Sequence, residues 1–151
     1  MSPPLVQTMH EWMRVTMRHT MRNFMLFAKE HNYSMAQLNA IFRIRHKGVC
    51  GVSDLGDEMG VTSAAASQLL EKLVQQGFAV RAEDPQDRRN KLITLTEAGE
   101  QVAEQSMQAR QGWLDQLAEQ LSPTEQEQVN AALEILIQKS QALEAENMPE
   151  R

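Results

Sequence analysis

The sequence predicts a mainly helical α+β fold in which a helix-turn-helix and a small β-hairpin wing sit between helices at the two ends of the chain. Three observations carry this expectation. Two amphipathic segments flank a glycine turn across residues 53–77. Two short alternating stretches then enclose a cationic, turn-forming octet across residues 78–96. Long segments with apolar residues at helical spacing lie on either side of both.

At the start of the chain, Leu5, Met9, Met13, Met17, Met21 and Met25 recur every four residues, and Trp12, Phe24 and Ala28 widen the stripe. Such a face is expected to be buried, and packing against a second copy is the use expected for it. Thioether sulfur is a soft ligand for copper or haem iron. However, a spacing of four is also what helix packing requires, and methionine fills irregular contacts well. His10, His19, His31 and His46 show no compact ligand spacing either, so neither a metal centre nor a cofactor is expected. Ser34-Met35-Ala36-Gln37 has the Ser-x-x-Gln form of a capping box and opens a second helix through Leu38, Ile41, Phe42 and Ile44.

The next segment runs from Ser53 through Gly60 to Gly77. Ser53 is expected to cap a short helix, Gly60 to make the tight turn, Thr62 or Ser63 to cap a longer helix, and Gly77 to end it. In the longer helix Ala66, Leu70, Leu73 and Val74 should face the core, leaving Ala64, Ser67, Gln68 and Lys72 outside. That outer face is small and polar near its start. Small residues let a helix approach base edges, and glutamine is a good bidentate partner for adenine in the major groove.

Phe78-Ala79-Val80-Arg81 and Leu92-Ile93-Thr94-Leu95 read as half-buried strands. Between them, Asp84-Pro85-Gln86-Asp87-Arg88-Arg89-Asn90-Lys91 supplies turn formers and cations. A guanidinium suits a narrow minor groove better than an ammonium does, which makes Arg88 and Arg89 candidates for insertion. Asp87 is close enough to Arg89 to orient it. A helix-turn-helix joined directly to a basic hairpin is the layout of a module that grips double-stranded DNA.

From Thr96 a long helix places Val102, Ser106, Trp113, Leu117 and Leu121 on one side; Ser122-Pro123-Thr124-Glu125 then caps a last helix carrying Val129, Leu133, Leu136, Ile137 and Leu143. The chain reads as a single domain over residues 1–151, with a winged DNA-binding lobe at 34–95 and dimerising helices at 1–33 and 96–151. The terminal helices have too little core of their own, and pairing with a second copy would supply it.

The composition, 42% hydrophobic and 23% charged over 151 residues, suits one compact domain. No export signal or membrane span is evident, so a cytoplasmic location is expected. The net charge of −5 is unevenly distributed. Residues 1–96 hold 12 Lys and Arg against 9 Asp and Glu, whereas residues 97–151 hold 3 against 11. A basic reading face with an acidic remainder favours correct orientation on a duplex. No glycine-rich phosphate loop, nucleophile with an evident base, or paired metal ligands appear, so an enzyme is not expected.

These residues resemble the MarR family of bacterial and archaeal transcription regulators, whose fold is a winged helix-turn-helix between dimerising helices. The resemblance rests on Leu55 through Gly60, Leu73, Gly77, Val80-Arg81, Asp84-Pro85, Asp87-Arg88-Arg89 and Leu95-Thr96-Glu97-Ala98-Gly99, covering about residues 53–100. The flanking helices fit by length and order. The resemblance implies that Arg89 enters the minor groove with Asp87 as its positioning partner, while the Ser63–Lys72 helix occupies the major groove. The DNA-facing set is then Thr62, Ser63, Ala64, Ala65, Ser67, Gln68 and Lys72 on the helix, with Arg81, Asp87, Arg88, Arg89, Asn90 and Lys91 on the wing. The Ala64-Ala65-Ala66 run departs from the pattern and leaves base reading mostly to Ser63, Ser67 and Gln68.

A homodimer would set two reading helices about 34 Å apart and favour an inverted-repeat operator. By resemblance the chain is a repressor released by a small aromatic or phenolic acid; Arg18, His19, Arg22 and Trp113, which match no family motif, are candidate walls of the effector site. Arg18 and Arg22 equally fit a solvated stripe, and Trp113 a core position. Two alternatives remain open at this point: a winged helix turned to protein partners, and a redox-responsive regulator acting through Cys50.

Overall fold

The structure is a computed structural model that describes residues 4–85 and 91–147. The chain divides into two compact units, Met1–Gln111 and Gly112–Arg151. Among the described residues no helix is long and apolar enough to cross a membrane.

In the first unit, α1 spans Pro4–Glu30 and buries only its C-terminal end, through Phe24, Phe27 and Ala28. The methionine stripe is exposed on a single chain, where packing against a second copy is the use expected for it. Met13 and Met17 are 61% and 59% exposed, and Leu5, Met9, Trp12, Met21 and Met25 are exposed as well. Helical geometry separates the stripe from the buried end of α1. With 3.6 residues per turn, each step of four advances the position by about 40°, so the stripe winds around α1 and leaves the face that Phe24 and Phe27 present to the core.

α2 spans Met35–Lys47 and starts with the expected capping box. Gln37 N–H donates to Ser34 Oγ at 3.1 Å, and Ser34 N–H donates to Gln37 Oε1 at 2.8 Å. Gln37 is buried, and its Nε2 also donates to Gln76 Oε1 at 2.6 Å, joining the start of α2 to the end of a later helix. Leu38, Ile41 and Ile44 are fully buried. After the turn at Gly48, β1 (Cys50–Gly51) pairs antiparallel with β3 (Lys91–Leu95), which also pairs with β2 (Ala79–Glu83), giving the order β1-β3-β2. The sheet therefore holds a third, very short strand that the sequence does not predict. Two residues are too few to show an alternating pattern.

α3 begins at Val52 with Gly51 as its N-cap, so Ser53 is not the cap but lies inside the helix. Gly60, at φ 65 and ψ 31, closes α3, and Val61 N–H donates to Gly56 O at 3.1 Å. Thr62 caps α4 (Ser63–Gln75) by accepting from Ala65 N–H at 3.2 Å. Gly77, at φ 75, ends α4; Phe78 N–H donates to Leu73 O at 2.9 Å and Gly77 N–H to Val74 O at 3.0 Å. This is the paired-bond ending that needs a left-handed residue after the helix.

β2 starts one residue after Phe78. Ala79 points inward while Val80 is half exposed, and Ala79 pairs with Leu95, Arg81 with Ile93 and Glu83 with Lys91. Thr96 then joins the hairpin to α5 (Glu97–Glu119). Its Oγ1 donates to Gly77 O at 2.6 Å and accepts from Gly99 N–H at 3.1 Å. A Cβ at Gly99 would stand 2.0 Å from Phe78 O, so only glycine lets α5 lie this close to the strand start. The core joins Phe24, Phe27, Leu38, Ile41, Ile44, Leu55, Leu70, Leu73, Ile93, Val102 and Ala103. Ion pairs reinforce it at the surface: Lys47 and Arg43 meet Glu58, and Arg45 meets Glu100 at 3.2 Å and Glu104 at 2.9 Å.

In the second unit, Ser122 and Glu125 form the expected cap of α6 (Pro123–Asn147). Ser122 N–H donates to Glu125 Oε2 at 2.9 Å, and the Ser122 hydrogen bonds hold that carboxyl below its usual range. Gln126 Nε2 donates to Ala118 O at 3.0 Å and Leu121 O at 3.1 Å, satisfying carbonyls near the end of α5. On α6, Val129, Leu133, Leu136, Ile137 and Leu143 are all exposed, Ile137 at 55%.

Candidate nucleic-acid interface

The candidate reading helix is α4. Ala66, Leu70 and Leu73 anchor one side in the core, which leaves Ser63, Ala64, Ala65, Ser67, Gln68 and Lys72 exposed on the other, with Thr62 exposed at the cap. The division matches the 3.6-residue period: the buried and exposed sets occupy opposite arcs of the same helix. A groove of about 600 Å³ runs beside this face, lined by Ser67, Gln68, Glu71, Lys72, Gln75 and Arg81.

Arg81 projects from β2 toward α4. Its Nη1 lies 3.0 Å from Glu71 Oε2, and its Nη2 donates to Ser67 O at 3.3 Å. Lys91 Nζ pairs with Glu83 Oε1 at 2.9 Å across the hairpin register, and both groups are exposed. Asp87, Arg88, Arg89 and Asn90 lie outside the described residues.

The residues expected at an effector site are divided between the two units. Arg18, His19 and Arg22 are exposed on α1, whereas Trp113 is buried on α5 in the second unit. Sequence reading missed Arg110. Its Cζ lies 3.7 Å from the centroid of the Phe24 ring and 4.3 Å from that of Phe42, two rings 6.3 Å apart. A guanidinium held over ring faces is attracted by their quadrupoles. Burial pulls its pKa below the ordinary value, and its Nε–H meets no acceptor among the described residues. Arg110 edges a groove of about 430 Å³ lined by Phe24, Met35, Ala36, Asn39, Met59 and Val61. The available signal was a cation placed four residues after Ser106 and three before Trp113, within the buried stripe of α5.

Cys50 is buried, and burial pushes its thiol above the ordinary value, with the Lys47 ammonium pulling weakly the other way. A reactive sensor thiol needs the opposite environment.

A helix-turn-helix with its outer face free, locked to an antiparallel hairpin, defines a winged helix-turn-helix protein. A model of the MarR family matches residues 33–91. The uncharacterized HTH-type transcriptional regulator YfiV of Bacillus subtilis is 32% identical over 111 residues, covering 74% of this chain and 68% of that protein. The chain belongs to the MarR family of transcription regulators. The fold agrees with that of transcriptional regulator Tm0710 from Thermotoga maritima (TM-score 0.80, 20% identity, 95% of this chain and 99% of the other). It also agrees with a mutant of S. aureus MepR bound to an oligodeoxyribonucleotide (TM-score 0.70, 22% identity, 86% and 96% covered).

Proposed function

We propose that the chain is a cytoplasmic, homodimeric, sequence-specific DNA-binding repressor that reads an inverted-repeat operator and is released by a small aromatic acid. The observation that carries the DNA reading is the outer face of α4, where Ser63, Ala64, Ala65, Ser67, Gln68 and Lys72 stand exposed while the opposite face is fixed in the core. Small side chains at the start of the helix let it enter a major groove, and Ser67 and Gln68 offer donors and acceptors to base edges. The basic octet of the wing, with Arg89 at its centre and Asp87 to aim it, then falls to the adjoining minor groove. A shared fold with MepR, which has been solved on an oligodeoxyribonucleotide, supports this reading.

Fluorescence anisotropy against duplex from the region upstream of the chain's own gene, and against a scrambled duplex, tests it across salt concentration. A tight, salt-sensitive preference for the upstream duplex is expected. Arg89→Ala should weaken that binding by roughly 1–3 kcal/mol. Gln68→Ala should relax sequence preference more than it weakens nonspecific binding. Equal affinity of Arg89→Ala and wild type would remove the wing from the mechanism. Equal discrimination by Gln68→Ala would remove that side chain from base reading.

The dimer reading draws on the exposed apolar residues of α1 and α6. The effector reading draws on the Arg110 groove, which combines a desolvated cation, aromatic faces and apolar walls, the chemistry that receives an aromatic carboxylate. It stands beside the set of Arg18, His19, Arg22 and Trp113 expected from the sequence.

A further inference from the structure

Glu71 is the only acidic residue between Ser63 and Gln75, and it lies one turn beyond Ser67 on the outward face of α4. With its side chain 51% exposed, it would carry a bare carboxylate into any approach to a polyanionic backbone. Arg81 answers that charge. One guanidinium nitrogen takes the carboxylate at 3.0 Å, and a second takes the Ser67 carbonyl one turn earlier at 3.3 Å. Two donors of one planar group on two points of one turn fix its direction as well as its position. The base of the side chain is also held, because Arg81 pairs in register with the fully buried Ile93 of β3.

Resting on the DNA-binding reading above, we propose that Arg81 is a positioning residue for the reading helix and not a phosphate contact. It neutralises Glu71 and clamps one turn of α4 to the wing strand, so that the helix face and β2 meet the duplex as one unit. An exposed pair of this kind adds little to folding stability. Its effect appears on binding, where an uncompensated carboxylate would face phosphates.

The test uses the full chain and a duplex that the wild type selects from a random pool, with anisotropy read across salt for R81Q, E71Q and the double variant. R81Q should lose about tenfold or more in affinity, as a like charge brought against the backbone predicts. The double variant should recover to near wild-type affinity with an unchanged salt slope, because neither charge is then needed. A double variant as weak as R81Q, with the slope reduced by about one, would identify a phosphate contact and overturn the proposal. R81K guards against a folding artefact. It keeps the charge but loses the fork, and should keep the salt slope while discriminating less well between selected and scrambled duplex. Discrimination equal to wild type would also overturn the clamp. If the wild type selects no duplex, the DNA-binding reading fails, and this inference with it.

Discussion

Arg110 shows how a helix can hold a partly buried charge against aromatic faces. The guanidinium stays charged at any ordinary pH, so its burial against Phe24 and Phe42 is offset only by the ring faces and leaves Nε–H without an acceptor among the described residues. Arg110→Met should therefore fold about as well as wild type, since the charge is only partly buried and an apolar chain of similar length keeps the contact with the rings. The same change should abolish ligand response. Benzoate at a hundredfold excess over its Kd would stabilise the wild type by about 2.7 kcal/mol and leave Arg110→Met unmoved in a thermal unfolding experiment. Equal stabilisation of both proteins would place the effector elsewhere, and no stabilisation of the wild type by any aromatic carboxylate would remove that ligand class. Cys50 makes the complementary point: its burial disfavours the thiolate, and the nearby Lys47 ammonium does not reverse that.

At the scale of elements, the joints matter more than the helices they connect. Gly77 and Gly99 both serve the junction of α4, the hairpin and α5, but for different physical reasons. Gly77 has open space around it and needs only its left-handed φ of 75, so Gly77→Ala should cost about 1 kcal/mol. Gly99 lies against the Phe78 carbonyl, and a methyl there must displace backbone, so Gly99→Ala should cost about 1–3 kcal/mol or more. Urea unfolding of the two variants checks the order, and an equal or reversed ranking would mean that α5 shifts freely. The sequence made most of these joints legible. Ser34 with Gln37, Thr62, Gly60, Gly77 and the Ser122–Glu125 cap all carry local signals. It misplaced the start of α3 because Ser53 looked like a cap, whereas the pairing of Cys50–Gly51 with β3 lets the helix begin directly after the strand. Arg81 was legible as a wing cation. Its engagement with Glu71 was not, since the two meet only through the packing of β2 on α4.

For the whole molecule, the proposed dimer rests on the exposed apolar residues of α1 and α6. Met17 and Ile137, at 59% and 55% exposure, contribute little to packing within one chain. Met17→Glu and Ile137→Lys should accordingly leave helicity almost unchanged. Each should weaken dimerisation by roughly 1.5–3 kcal/mol, the value of burying one such side chain. Sedimentation of wild type and variants over a range of concentrations measures this. A wild type that remains monomeric at high concentration would end the dimer reading and require another cover for these faces.

The sequence by itself determined the family, the helix-turn-helix with its wing, most of the caps and the side of α4 that faces outward, because these follow from period, turn chemistry and left-handed glycines within a few residues. Only the tertiary structure decided the third strand, the closeness of α5 at Gly99, the hold of Arg81 on Glu71 and Ser67, and the seat of Arg110 between Phe24 and Phe42. Each of these depends on groups brought together from distant parts of the chain, and no local pattern records which distant partner a side chain will meet.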